Sequence, residues 1–155
     1  HGGPEGLGYQ YSWTRDVPSP IVNEVLEYYK ESHTIIHIKR QDQIIYPDTL
    51  QALDGFRSIA ILLQLSDKRL LIDSFTQHMA AALNLKSTVC WISTKPEVFG
   101  YKLHDNVKAE PFTKEPDLTA AMYNPFHLTQ DIHSIPYNDL NEVFITDKIV
   151  TSLNS

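Results

Sequence analysis

Cysteine is almost missing from this chain of 155 residues, where Cys90 is the only one. A single thiol closes no intramolecular disulfide and supplies no cysteine-rich zinc site. Placed mid-strand among apolar neighbours, it reads as a buried, inert thiol. Positive charge is scarce too: 13 Lys and Arg stand against 19 Asp and Glu, a net charge of −6. That balance argues against a nucleic-acid coat or a broad patch for anionic membranes. No apolar run approaches the roughly 20 residues that a membrane-spanning helix needs. There is no Asn-x-Ser/Thr acceptor, and the opening His1-Gly2-Gly3-Pro4 has neither a charged n-region nor an apolar h-region. No export is therefore expected. The chain does not begin with Met, as expected of a processed product or of a piece of something longer.

Several catalytic signatures are lacking as well. There is no G-x-S-x-G, no H-E-x-x-H, and nothing glycine-rich before Lys86-Ser87 that could form a P-loop. Gly6-Leu7-Gly8 starts like a dinucleotide fingerprint, but Tyr11 stands where the third glycine belongs. His33 and His37 are four apart and could share one strand face. Without a third ligand they do not make a zinc site. No Asp-x-Asp pair is present to hold a divalent ion beside a nucleotide.

What is there suits one globular domain: 42% apolar and 21% charged residues. Residues 1–19 are rich in Gly, Pro, Tyr and Trp and read as loop. Ser19-Pro20 starts a helix whose apolar stripe is Ile21, Val25 and Tyr29, flanked by Val22 and Leu26. Residues 34–38 are a β-branched strand, and 41–50 a polar loop or a turn of helix. Ser58 precedes a short buried helix from Ile59 to Leu65. Leu70 to Ile72 is a strand and Phe75 to Asn84 a helix, with Phe75, Met79 and Leu83 on one face and Ala80 to Ala82 keeping it slim. Thr88 to Ile92 is a further strand, and Asn106 to Ala109 a short one. Residues 111–141, with four prolines, read as a long loop. Thr146 caps a terminal helix to Leu153. The alternation of strand, helix and strand predicts an α/β fold, a Rossmann-like parallel sheet with flanking helices and right-handed crossovers.

One segment concentrates chemistry: Asp73-Ser74-Phe75-Thr76-Gln77-His78. It follows a strand and opens a helix. With Ser74 as cap, the N–H groups of Phe75, Thr76 and Gln77 point unpaired from the helix N-terminus. Helped by the helix dipole, they suit a phosphate. In an open α/β sheet such a junction lies at the carboxyl ends of the strands, where ligands bind. The plainer alternative is an ordinary capped helix with a carboxylate near its dipole.

Asp73-Ser74-x-x-x-His78-x-Ala80-Ala81-Ala82-Leu83 resembles the Asp-Thr/Ser-Gly-x-x-His-x-Ala-Ala-Ala-Leu signature of family 9, the heptosyltransferase-like glycosyltransferases. Leu85 to Ile92 is similar to the strand that follows there. Ser93-Thr94-Lys95-Pro96 falls where those enzymes carry Gly-Pro-Thr-Asp-Pro, and Phe99-Gly100-Tyr101 resembles their Trp/Phe-Gly-Tyr. Trp13-Thr14-Arg15-Asp16-Val17-Pro18 resembles the loop after the first strand of the nucleotide-binding domain. The likeness covers residues 1–112. It implies the C-terminal, donor-binding half of a GT-B enzyme (two Rossmann-like domains facing a cleft). Residues 113–155 would then be a C-terminal loop and helix extension of the same domain. The acceptor-binding half would be absent, and the first strand of this half would lie before His1. The last helix would cross back to the absent half.

The function implied is transfer of a sugar from a nucleotide-diphospho-sugar, with inversion and without a metal or other cofactor. The setting implied is bacterial lipopolysaccharide-type synthesis, in the cytoplasm or at the periphery of the inner membrane. The partners would be the nucleotide-sugar donor and a glycan or lipid-linked acceptor held by the missing half, with no nucleic acid and no transmembrane segment. No catalytic base is expected in this piece. Asp73 would bind sugar hydroxyls; Ser74, Phe75 and Thr76 would offer amides to the diphosphate. His78 would touch phosphate or sugar, Arg15 would pair with the diphosphate, and Thr94 and Lys95 would line the same mouth. Gly2 and Gly3 would permit close backbone approach, and Gln41 or Gln43 would meet the ribose. Three departures stand out: Phe75 for the signature Gly, Ile92-Ser93 for Gly-Pro, and Lys95 for Asp. They leave room for two other functions, an inactive nucleotide-sugar-binding module or a GT-B-fold nucleotide-sugar epimerase.

Overall fold

The computed structural model describes residues 12–41, 43–52, 55–114 and 136–155. Helix α1 spans Ser19–Tyr29. Strands β1 (Ile36–Ile38) and β2 (Leu50–Ala52) follow, then α2 (Phe56–Leu65), β3 (Leu70–Ile72), α3 (Phe75–Ala82), β4 (Thr88–Trp91), α4 (Pro96–Phe99), β5 (Asp105–Lys108) and α5 (Thr146–Leu153). Short 3-10 turns lie at Ser12–Thr14 and Leu140–Glu142. All strand pairs are parallel: β1 with β2 in one sheet, and β3-β4-β5 in another. The predicted α/β class and parallel pairing are thus present.

Strand β4 is the centre of the molecule. All four of its residues are buried, as a parallel strand covered on both faces must be. Alternation then sorts its neighbours into two cores. Cys90 packs with Ile72 from β3, Ile21, Val25 and Tyr29 from α1, Ile149 from α5, and Tyr137, Val143 and Phe144 between them. Val89 and Trp91 pack on the opposite face with Leu71, Ala80 from α3, and Ile59 and Leu63 from α2. The result is three layers, with α1 and α5 on one side and α2 and α3 on the other. Burial pushes the Cys90 thiol up to about 12, so it stays protonated and unreactive.

The structure corrects several expectations. Ser19 is the first residue of α1 rather than its cap; Pro18 holds that position, and the Ser19 hydroxyl bonds Tyr46 Oη at 3.1 Å. Strand β2 falls where a loop was expected up to residue 50. Its Leu-Gln-Ala has no β-branched residue and exposes Leu50, so composition hides it. Helix α2 starts at Phe56, not Ile59, and buries only Ile59 and Leu63, while Ile61 and Leu65 face solvent. On α3 the buried residues are Thr76, Gln77 and Ala80, Met79 packs half-buried against the second core, and Phe75 is exposed. Asn84 ends that turn at φ 56°, a left-handed conformation that Asn tolerates. Helix α4 was not anticipated. Thr146 opens α5 without capping it; its hydroxyl donates to the Glu24 carboxylate, and Ile145 is the N-cap.

Helix α5 does not await another domain. Ile149 is fully buried in the first core. Tyr29 Oη donates to Asn154 at 3.0 Å, Lys68 Nζ donates to the Leu153 carbonyl at 2.7 Å, and Thr88 and Ser152 share a hydroxyl bond of 2.7 Å. The expectation that its apolar face crosses to an absent half therefore fails. Most of the anticipated long loop at 111–141 lies outside the described residues. Its described end folds as a 3-10 turn with a capping box between Asp139 and Glu142.

Candidate functional site

Chain order decides where a ligand could sit. From β1 the chain steps outward to β2; from β3 it steps the other way, through β4 to β5. The reversal falls between β1 and β3. A cavity of about 550 Å³ lies there, running along both strands and on past their carboxyl ends. One wall is β1 and the turn after it, Ile36 to Gln41 with Gln43. The other is β3 and the start of α3, with Ser74, Phe75 and Thr76. Gly55, Phe56 and Ile59 of the α2 region complete it.

Of the expected donor-site residues, Ser74, Phe75 and Thr76 line this cavity. Ser74 holds the N-cap position in extended conformation, but its side chain does not cap the helix. Instead its hydroxyl and that of Thr76 bond each other at 2.7 Å. The Gln77 amide is already spent on the Ser74 carbonyl at 3.2 Å, so Phe75 and Thr76 contribute the open amides. The Phe75 ring does not fold back over them. It is 44% exposed and meets Phe56 edge-on, centroids 5.2 Å apart. Together the two rings form an aromatic lip on the cavity.

Asp73 directly follows β3, is only 9% exposed, and does not line the cavity. No hydrogen bond or ion pair reaches its carboxylate from the described residues.

The other expected residues sit elsewhere. His78 is exposed on the outer side of α3, its Nδ1 3.0 Å from Tyr101 Oη, and it does not line the cavity. The residue beside it has the structural role: fully buried Gln77 donates to the Phe99 carbonyl at 3.2 Å, and its own carbonyl lies 3.0 Å from His104 Nε2. Gly100 lets the chain turn beneath this network, because a Cβ there would lie 2.6 Å from the Pro96 carbonyl. Arg15 is exposed. Ser93 pins the loop after β4 to the carbonyl of Thr14, by its amide at 3.2 Å and its hydroxyl at 2.8 Å. Arg15, Thr94 and Lys95 are thereby gathered at the carboxyl end of β4, one strand away from the cavity rather than in its wall. The Thr94 hydroxyl is buried there without a partner among the described residues.

Residues missed in the sequence take their places. Lys39 is buried, its Nζ 3.5 Å from the Gln41 carbonyl, and Lys39 and Arg40 stand in the cavity wall at the end of β1. Two cations straight after a β-branched strand were the available signal. Gln41 and Gln43 line the cavity as expected, but Gln43 stitches the turn: its Oε1 accepts from the Arg40 amide at 2.8 Å. His33 and His37 separate, the first against Tyr29 and the second against Tyr46. Among the described residues no group of three or more His, Cys, Asp or Glu converges on one point. Gly2 and Gly3 lie outside the described residues.

Fold and cavity together define an α/β protein with parallel sheets and a crevice between β1 and β3 that reaches their carboxyl ends. The chain matches no protein-family model, no curated protein and no solved structure. No helix among the described residues is long and apolar enough to cross a membrane.

Proposed function

We propose that this chain binds a nucleotide-diphospho-sugar and is the donor half of an inverting, metal-independent glycosyltransferase of the heptosyltransferase-like kind. It would act in bacterial cell-surface glycan synthesis, on the cytoplasmic side. One observation carries the reading: the cavity lies at the reversal of strand order, with the opening amides of α3 on one wall and Lys39 and Arg40 on the other. That is where an open α/β sheet takes a nucleotide, and amides plus cations are the chemistry a diphosphate requires. Asp73, next in the chain before the Ser74–Thr76 wall, suits the hydroxyls of the sugar.

In this reading the sugar is displaced directly at its anomeric carbon, and a base from another domain takes the proton of the acceptor hydroxyl. The residues here hold the departing nucleoside diphosphate: the Phe75 and Thr76 amides and Lys39 offset its growing charge. The Phe56–Phe75 lip favours the second reading, a binding module without turnover, because the rings narrow the side where the family signature has Gly.

Calorimetry with ADP, UDP and GDP tests the proposal. One of the three should bind, and Lys39→Ala should weaken that binding at least tenfold. Absence of heat with all three would overturn it.

A further inference from the structure

One side chain holds the turn after β1. The Lys39 amide donates to the Ala52 carbonyl at 3.1 Å, and β2 ends at that residue. The next residue, Arg40, is held by Gln43 instead, and twice. The Gln43 backbone N–H donates to the Arg40 carbonyl at 3.2 Å, and the Gln43 Oε1 accepts from the Arg40 amide at 2.8 Å. Both backbone groups of Arg40 are thus bound to a single residue. Gln43 is only 5% exposed, so water competes little for these bonds. Lys39 Nζ points into the same turn, 3.5 Å from the Gln41 carbonyl. Lys39, Arg40, Gln41 and Gln43 all border the cavity.

We infer that Gln43 is a positioning residue: by fixing the backbone of Arg40 it aims the Lys39–Arg40 pair at the bound anion, without touching the anion itself. This rests on the donor-site reading above. A long side chain starts in a set direction only when its own backbone is set, and a phosphate contact weakens when that origin swings. The residue type matters as well. A Glu could accept the same bond from the Arg40 amide, but its carboxylate would stand in the wall that carries the two cations and oppose an arriving diphosphate. Gln supplies the acceptor without the charge. A direct contact of Gln43 with the ribose would have to come from Nε2, since Oε1 is committed to Arg40. Such a contact would serve a nucleoside diphosphate and not pyrophosphate, and that difference separates the two roles.

Calorimetry with inorganic pyrophosphate and with ADP, UDP and GDP, on the chain of 155 residues, tests this. Gln43→Met keeps the length of the side chain and removes the acceptor. It should weaken pyrophosphate and the bound nucleoside diphosphate alike, each by about tenfold, the scale of a hydrogen bond to a charged group. In a chain already carrying Arg40→Ala the same change should cost less than about twofold, because residues that act through one another are not additive. Gln43→Glu keeps the bond to the Arg40 amide, so it speaks even where Gln43→Met does not fold. It should weaken pyrophosphate, and the loss should shrink as salt is added. Loss of the nucleoside diphosphate with pyrophosphate unchanged in Gln43→Met would overturn the inference, since Gln43 would then hold the ribose. An undiminished penalty in the Arg40→Ala background, or full pyrophosphate affinity in Gln43→Met or Gln43→Glu, would overturn it too. Each of these leaves the donor-site reading standing. A parent chain that binds neither pyrophosphate nor any of the three nucleotides would overturn that reading and this inference together.

Discussion

Truncating Ile149 to Ala tests whether the last helix belongs to the core of this chain. The side chain is fully buried between Tyr29 of α1, Phe144 and the Cys90 face of β4. Ile149→Ala removes three carbons, a transfer loss of about 2.4 kcal/mol at roughly 0.8 kcal/mol each. The hole left behind adds to this, because packed surroundings collapse only in part, and takes the total to about 3–4 kcal/mol. Against the usual 5–15 kcal/mol of a domain, that is a large fraction. The melting temperature should fall by roughly 6–16 °C, at about 2–4 °C per kcal/mol for a chain of this size. Urea unfolding followed by circular dichroism should show the midpoint shift with an unchanged slope. Thr151→Ala, on the exposed side of the same helix, should stay within about 0.5 kcal/mol of the parent. A loss below about 1 kcal/mol for Ile149→Ala would mean that α5 is not docked, and the two-core description would fall with it.

The aromatic lip gives a second expectation. Phe75→Ala removes a half-exposed ring and its edge-on contact with Phe56, and should cost about 1–2 kcal/mol in urea unfolding. Nucleoside-diphosphate binding should tighten or stay unchanged; a tenfold loss in calorimetry would show that the ring itself holds the ligand. A third concerns alkali. Burial raises the Cys90 thiol from its ordinary 9.0 and the Tyr137 phenol from 10.0, each to about 12. Above the ordinary values the unfolded chain sheds protons that the folded chain keeps, so stability is full below pH 9 and falls between about pH 9 and 12. Urea midpoints across that range should decline, and Cys90→Ala should flatten the first part of the decline. An unchanged midpoint at pH 11 would contradict it.

How much of this was readable in the residues follows from how local the causes are. The stripe Ile21, Val25, Tyr29 is set by helical spacing, and those three are the buried residues of α1. The run Thr88 to Trp91 is apolar or β-branched throughout because both faces of β4 are covered, and it was legible as a strand. Strand β2 was not, because its pairing with β1 comes from tertiary placement and its own residues carry no β signal. Which side of α3 is covered was not legible for a related reason: Phe75 is the larger apolar residue, but the covering layer meets Ala80 and Met79. In the site, the Ser74–Thr76 junction was visible as a strand followed by a helix start. Lys39 was not, since only the return of β1 beside β3 brings it opposite that junction. The grouping of Arg15 with Thr94 and Lys95 depends on one backbone anchor, Ser93 on Thr14, which nothing in the local sequence announces.

The distribution of the first core along the chain has a consequence for biosynthesis. Its members run from Val17 to Ile149, so α1, made early, finds its main apolar cover only after the segment from Tyr137 to Ile149 has been translated. The second core needs nothing beyond Trp91. A nascent chain should therefore settle α2, β3, α3 and β4 first and carry α1 with its greasy side uncovered until the end, a period in which a chaperone would find its handle there.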